Sequence, residues 1–283
     1  MAVPFVHLHL HTEYSLVDGI VRVKPLVKAV AAAGMPACAV TDQSNLFAMV
    51  KFYKAAQGAG IKPIVGADVW LYNDQDPNQP SRLVLLCKDR EGYLNLNALI
   101  SRSYIDGQHR GIPMLQRDWL REHHAGLIVL SGGRAGDVGH ALLAGNAALA
   151  EQLLEDWLAL FPDHYYLELQ RTGREREEDY LHAAVALAAR RDVPVVATND
   201  VHFLAPEDFE AHEARVCIHD GRTLDDPRRP RRHSEQQYLK TPEAMAELFA
   251  DIPEALENTV EIAKRCNLEL TLGKNYLPDF PVP

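Results

Sequence analysis

The chain has 283 residues, 47% of them hydrophobic and 24% charged, with a formal net charge of −10. That length and apolar share suit a globular fold with a substantial core, and the acidic balance argues against this chain alone holding a nucleic-acid backbone on a broad basic face. Its four cysteines, Cys38, Cys87, Cys217 and Cys266, form no CxxC pair, so free thiols in a reducing cytosol are expected in place of a zinc ribbon or a disulfide framework.

The N-terminal "MAVPFVHLHLH" has no basic stretch followed by a long apolar run, so no signal peptide is expected. No segment has the apolar length of a membrane span, and a cytoplasmic protein is expected. Residues 5–9 read as a strand, and "VKPLVKAVAAAG" as a helix ending at Gly34. "PACAVTD" is a short strand, "LFAMVKFYKAAQGAG" a helix, "KPIVGADVWLY" and "RLVLLC" are strands, and "EGYLNLNALISRSY" is a helix. "GLIVLSGG" is a strand, followed by helices in "GDVGHALLAG" and "AALAEQLLEDWLALF"; "HYYLELQR", "REEDYLHAAVALAARR" and "VPVVATND" then read as strand, helix and strand. Short apolar strands joined through helices indicate an α/β protein with a mostly parallel sheet. Beyond residue 205 the pattern becomes helical, with "EDFEAHEARVCIHDG", an Arg- and Pro-rich loop, and two helices in "PEAMAELFADIPEALENTVEIAKRCN". The last stretch, "YLPDFPVP", reads as an extended linker. The expected division is therefore 1–205 as a barrel, 206–272 as a helical extension and 273–283 as a linker.

The alternation in "FVHLHLH" places His7, His9 and His11 on one face of a strand and Val6, Leu8 and Leu10 on the other. Imidazoles in line on one strand suit a metal site, because neutral His is a common ligand for zinc, iron, manganese and nickel. Polar residues also gather near the ends of successive strands: Asp42, Asp68, Ser131, Glu168, Asp200 and His202. Strand ends that converge on one rim define the functional face of a (β/α) barrel. A doubly wound sheet would instead show a glycine-rich phosphate loop, and no GxGxxG or Walker-type sequence is present. The adjacent His123 and His124 and the run "PRRPRRH" read as solvated loops, and no nucleophile elbow is present.

"HLHTEYSLVDG", "VTDQSNL", "GAD" and "TNDVHF", in that order and spacing, resemble the polymerase and histidinol phosphatase (PHP) domain. The resemblance is to the version found at the N-terminus of bacterial replicative DNA polymerase III alpha subunits, and it extends over nearly the whole chain. It implies a distorted (β/α)7, TIM-like barrel, with three metal ions in its mouth in the metal-binding members. Carried onto this sequence, the ligands fall on His9, His11, Asp18, Asp68, Asp200 and His202. Three positions depart from the pattern: Gln43 stands where His is usual, Arg82 where His is usual, and Gly133 supplies no side chain. Gln is a poor transition-metal ligand and Arg is permanently protonated.

The resemblance therefore implies a vestigial metal site, with zinc, manganese or magnesium at most weakly held and none at full occupancy. It implies no catalytic residue in this stretch. The parent family is a DNA-directed DNA polymerase, a nucleotidyltransferase, whose palm carboxylates lie beyond residue 283. Its expected partners are the polymerase core of the same chain and the proofreading exonuclease subunit, with DNA engaged only by the whole protein and no membrane contact. The alternative is an active metal-dependent phosphoesterase, a pyrophosphatase or a 3′–5′ exonuclease, working with the six surviving ligands. In the vestigial case Arg82 is expected to supply the charge that crowded carboxylates need.

Overall fold

The computed structural model describes residues 4–275 and 277. Strands are β1 (Ala37–Val40), β2 (Lys62–Leu71), β3 (Ser81–Cys87), β4 (Gln108–His109), β5 (Ile112–Leu115), β6 (Leu127–Leu130), β7 (Tyr165–Gln170) and β8 (Val195–Thr198). Helices are α1 (Val23–Ala32), α2 (Met49–Gly58), α3 (Arg90–Ile105), α4 (Arg117–Glu122), α5 (Asp137–Leu143), α6 (Ala147–Leu160), α7 (Glu177–Arg191), α8 (Phe209–Asp220), α9 (Pro242–Leu248) and α10 (Pro253–Arg265). The linker expected over 273–283 falls largely outside the described residues.

The sheet runs β1–β2–β3–β6–β7–β8, with the short β4–β5 ribbon attached to the end of β2. The N-terminal segment closes it. Ala39 N donates to His7 O and Thr41 N to Leu10 O on one side; His11 N donates to Val201 O and Val201 N to His9 O on the other. Six strands and this segment thus form a closed ring, which removes the exposed edges of an open sheet.

Burial follows the strand period. Ile64, Val84, Leu86, Ile128, Leu130, Tyr166 and Val196 point into the barrel, in one cluster with Val6 and Leu8. Val65, Leu83, Leu85, Val129, Leu167, Leu169, Val195 and Ala197 point outward against the helices. At about 25 cal/mol per Å² of apolar surface buried, these two layers supply the main drive to fold. Ile262, Ala263 and Cys266 of and after α10 join the inner cluster, and Thr259 Oγ1 accepts from Val6 N at 3.1 Å. The last helix therefore plugs one end of the barrel, and the polar residues occupy the other.

Two details depart from the sequence reading. Residues 5–9 are extended but do not form a regular strand. The alternation slips between Leu8 and His9: Val6 and Leu8 belong to the inner cluster, whereas Leu10 belongs to the outer one. His9 and His11 consequently turn inward, while His7 points its Nε2 at Lys240 O, 2.9 Å away. His7 does not share their face. The second detail concerns β3, which runs antiparallel to both β2 and β6 because no crossover helix separates it from β2. Its first residues, not its last, lie at the mouth, and this puts Arg82 there.

Candidate functional site

The mouth is the next inward layer of the same strands: Asp68 on β2, Arg82 on β3, Glu168 and Gln170 on β7 and Thr198 on β8, with His9 and His11 from the closing segment. Asp18 arrives from the loop after a 3-10 turn at Glu13–Ser15. That loop passes so close to the closing segment that a Cβ on Gly19 would stand 1.9 Å from Thr12 O, which only glycine avoids. Asp200 holds a φ of 44° just after β8, a left-handed conformation that Asp tolerates better than most residues.

Asp68 is the hub. It is fully buried, and its Oδ2 lies 3.1 Å from His9 Nε2 and 3.2 Å from His11 Nε2. Arg82 grips both of its oxygens: Nε donates to Oδ1 at 3.1 Å and Nη2 donates to Oδ2. The guanidinium also lies over Trp70, 4.6 Å from the ring centroid. His11 Nδ1 is 2.9 Å from Asp18 Oδ1, and His9 Nδ1 is 2.7 Å from Glu168 Oε1. His202 Nε2 is 3.0 Å from Asp200 Oδ1, and its Nδ1 is 3.2 Å from Asp18 O. The structure thus brings His9, His11, Asp18, Asp68, Asp200, His202 and Arg82 into one buried cluster.

Gln43 and Gly133 sit at its margin. Gln43 Nε2 donates to Asp68 O at 3.0 Å, a backbone contact. Gly133 has a φ of 59°, and a Cβ there would meet the Gln170 side chain at 3.2 Å. Asp42 serves the 3-10 turn, accepting from Thr12 N at 2.6 Å and from Ser15 Oγ at 2.9 Å.

Two participants are absent from the residues carried over by resemblance. Glu168 is fully buried and takes bonds from Thr198 Oγ1 and Gln170 Nε2 besides its contact with His9. The sequence already places Glu168 among the polar residues that gather near strand ends. Arg174 lies in the loop after β7, where a polar run reads as solvated. It reaches inward instead: Nη1 donates to Asp200 Oδ2 at 2.7 Å and Nη2 to Gln170 Oε1 at 2.6 Å. Gln237 Nε2 also donates to Asp200 Oδ2, at 2.9 Å.

Protonation follows from these contacts. Burial alone lowers an imidazole, but Glu168 and Asp200 outweigh it and hold His9 well above its ordinary value. His11 is likewise raised to about 9, because Asp18 and Asp68 overcome its burial. Burial raises a carboxyl, yet Asp68 is pulled below its ordinary value by Arg82 and the two imidazoles. Asp18 and Asp200 are lowered well below the usual range by their histidines, with Arg82 and Arg174 respectively adding to the effect. For His202 burial prevails and its value falls. The mouth is a lattice of buried ion pairs.

Donor atoms of His9, His11 and Asp68 lie within 4.8 Å of one another, as do those of His11, Asp18 and His202. Either trio has the chemistry to hold one divalent ion. In this arrangement Asp68 is already closed by a guanidinium. With Gln43 turned to the backbone and no side chain at Gly133, the residues present do not fit a three-metal cluster.

Among known proteins, the PHP domain family matches residues 7–172. The DNA polymerase III subunit alpha of Pseudomonas aeruginosa is 63% identical over 283 residues, covering 100% of this chain and 24% of that protein. The subunit of the same name from Escherichia coli K12 is 57% identical over 277 residues, covering 98% of this chain and 24% of that protein. The chain thus spans about a quarter of the length of these relatives. Among solved structures, an amidohydrolase from Chromobacterium violaceum aligns with a TM-score of 0.48 at 16% identity, over 74% of this chain and 96% of that one.

Proposed function

The chain belongs to the PHP domain family, and from that premise we propose that it is the PHP domain opening a bacterial DNA polymerase III alpha subunit, with ion pairs in place of the family's metals. In this reading the barrel (1–205) and its helical extension (206–272) form a structural and docking module. It supports the polymerase core continued in the same chain and receives the proofreading exonuclease subunit. Residues 273–283 lead towards that core. DNA is held by the whole polymerase in the cytoplasm, and not by this acidic domain alone. No helix among the described residues is long and apolar enough to cross a membrane.

The observation that carries the reading is the pair of arginines. Arg82 on Asp68 and Arg174 on Asp200 supply fixed positive charge where a metal-dependent esterase needs exchangeable cations. A guanidinium cannot be deprotonated at working pH or activate a bound water, so the mouth keeps its geometry without hydrolytic chemistry. The second reading, a metal-dependent phosphoesterase, draws on the two trios of donors that remain.

Metal analysis of protein purified without chelator, beside its Asp68→Asn variant, separates the two. The structural reading requires equal metal content in both proteins and no hydrolysis of a phosphodiester in the presence of manganese. Metal and hydrolysis that disappear together in Asp68→Asn would establish the esterase.

A further inference from the structure

A second histidine cluster lies behind the mouth, on α8 and the Arg-rich loop that follows it. His212 is fully buried, and neither of its ring nitrogens has a hydrogen-bond partner among the described residues. An imidazole carries at least one N–H, so burial without an acceptor is costly. Two other rings close on it. Centroid separations are 4.6 Å for His212–His233, 4.8 Å for His202–His233 and 5.4 Å for His202–His212. One nitrogen from each of the three lies within 4.8 Å of the other two. A carboxylate completes the group. Glu213 Oε1 is buried and unpartnered, 3.6 Å from His212 Nδ1 and 3.9 Å from His233 Nδ1, while Arg229 holds the other oxygen.

We propose that His202, His212 and His233, with Glu213 beside them, form a binding site for one divalent transition-metal ion of the zinc class, on the flank of the arginine-filled mouth and sharing His202 with it. Three imidazoles and a carboxylate are a complete donor set for a tetrahedral ion. Among the unsatisfied atoms are ones an ion would satisfy: one nitrogen of His212, Nδ1 of His233 and Oε1 of Glu213. A shared proton fits less well. One shared proton bridges two atoms at most, whereas His212 Nδ1 and Nε2, His233 Nδ1 and Glu213 Oε1 all lack a partner. Ring packing fits less well too, since an edge-on N–H···π contact satisfies one nitrogen weakly.

The geometry is open by a small margin. Tetrahedral bonds of about 2.1 Å place donors about 3.4 Å apart, so the rings draw together by roughly an ångström when the ion enters. His233 sits in the loop between α8 and α9, where such a shift is local. His202 keeps an acceptor on whichever nitrogen stays free, Asp18 O or Asp200 Oδ1, which is the usual support behind a metal-bound imidazole. The bound ion ties the end of the barrel wall, α8 and the Arg-rich loop together.

The test titrates cobalt(II) or zinc(II) alone into the metal-stripped full chain, in wild type, His233→Gln and Asp68→Asn. We expect one equivalent bound, with tetrahedral cobalt absorption and a raised Tm. His233→Gln weakens binding by about tenfold or more, and Asp68→Asn leaves it unchanged. Three results would overturn the proposal: no equivalent bound by wild type, binding unaffected by His233→Gln, or binding lost in Asp68→Asn. The last would place the ion in the mouth and overturn the structural reading as well. The first two leave that reading standing.

Discussion

Arg82→Ala removes the guanidinium from a carboxylate that has no access to water. Breaking one side of a buried pair costs about 3–5 kcal/mol. The lower end applies here, because His9 and His11 Nε2 remain 3.1 and 3.2 Å from Asp68 Oδ2 and the Arg82 side chain is 17% exposed. Unfolding entropy near 2.1 cal/mol/K per residue amounts to about 0.6 kcal/mol/K for a chain of this size, so a loss of about 3 kcal/mol lowers Tm by about 5 °C. Arg82→Met keeps the aliphatic stem over Trp70 and isolates the charge; it should lose nearly as much. A cycle with Asp68→Ala supplies the second measurement, since the double variant should recover at least about 1 kcal/mol relative to the sum of the single changes. Thermal melts at neutral pH read wild type and the four variants. An unchanged Tm in both Arg82 variants, or simple additivity in the cycle, would refute the idea that the arginine neutralises the mouth.

Arg82→His combined with Gln43→His restores two imidazoles and removes the fixed cation, and metal analysis should find one more equivalent of zinc or manganese than in wild type. Arg174→Met frees Gln170 Oε1 and leaves Asp200 Oδ2 with Gln237 and no guanidinium, and should cost about 2 kcal/mol or more in denaturant melts. Gly19→Ala drives a methyl against Thr12 O, so about 2 kcal/mol should be lost with no change in charge. On the acid side, burial lowers His7 from 6.5 to about 4. The unfolded chain binds that proton first, so stability falls as pH drops from 6.5 towards 4, by up to about 1.4 kcal/mol per unit, and His7→Gln should flatten this limb. On the alkaline side His11 is raised to about 9. Its contribution is full below 6.5 and lost as pH rises through about 9, and urea melts across that range should show the decline.

Much of the site was legible because a barrel wall has a two-residue period and a polar rim. His9, His11, Asp68, Asp200 and His202 announce themselves as ligand-type residues at or near strand ends, and Arg82 as a cation where a ligand belongs. The slip at Leu8–His9 was not legible. It depends on the closing segment meeting β1 and Val201 at once, a long-range condition that alternation in "FVHLHLH" cannot report. Arg174 was hidden for a related reason: in "RTGRE" a charged loop and an inward-reaching anchor are spelled alike. The antiparallel run of β3 was also unpredicted, although the missing helix between "KPIVGADVWLY" and "RLVLLC" was its trace. His212 and His233 belong to segments whose contact depends on how the loop after α8 folds back, so their pairing with His202 emerges only in three dimensions.

The closing segment also sets an order of events during synthesis. His9 and His11 leave the ribosome first, and Asp68 and Arg82 follow soon after, so one part of the charged lattice can assemble early. Glu168, Arg174 and Asp200 come much later, and the hydrogen bonds of Val201 to His9 and His11 are among the last of the barrel to form. Until then the nascent sheet carries two unpaired edges, the side of the first segment that awaits Val201 and the far side of whichever strand was made last. Non-local closure of this kind is slow. The barrel therefore cannot close until Val201 has been made and has reached the first segment.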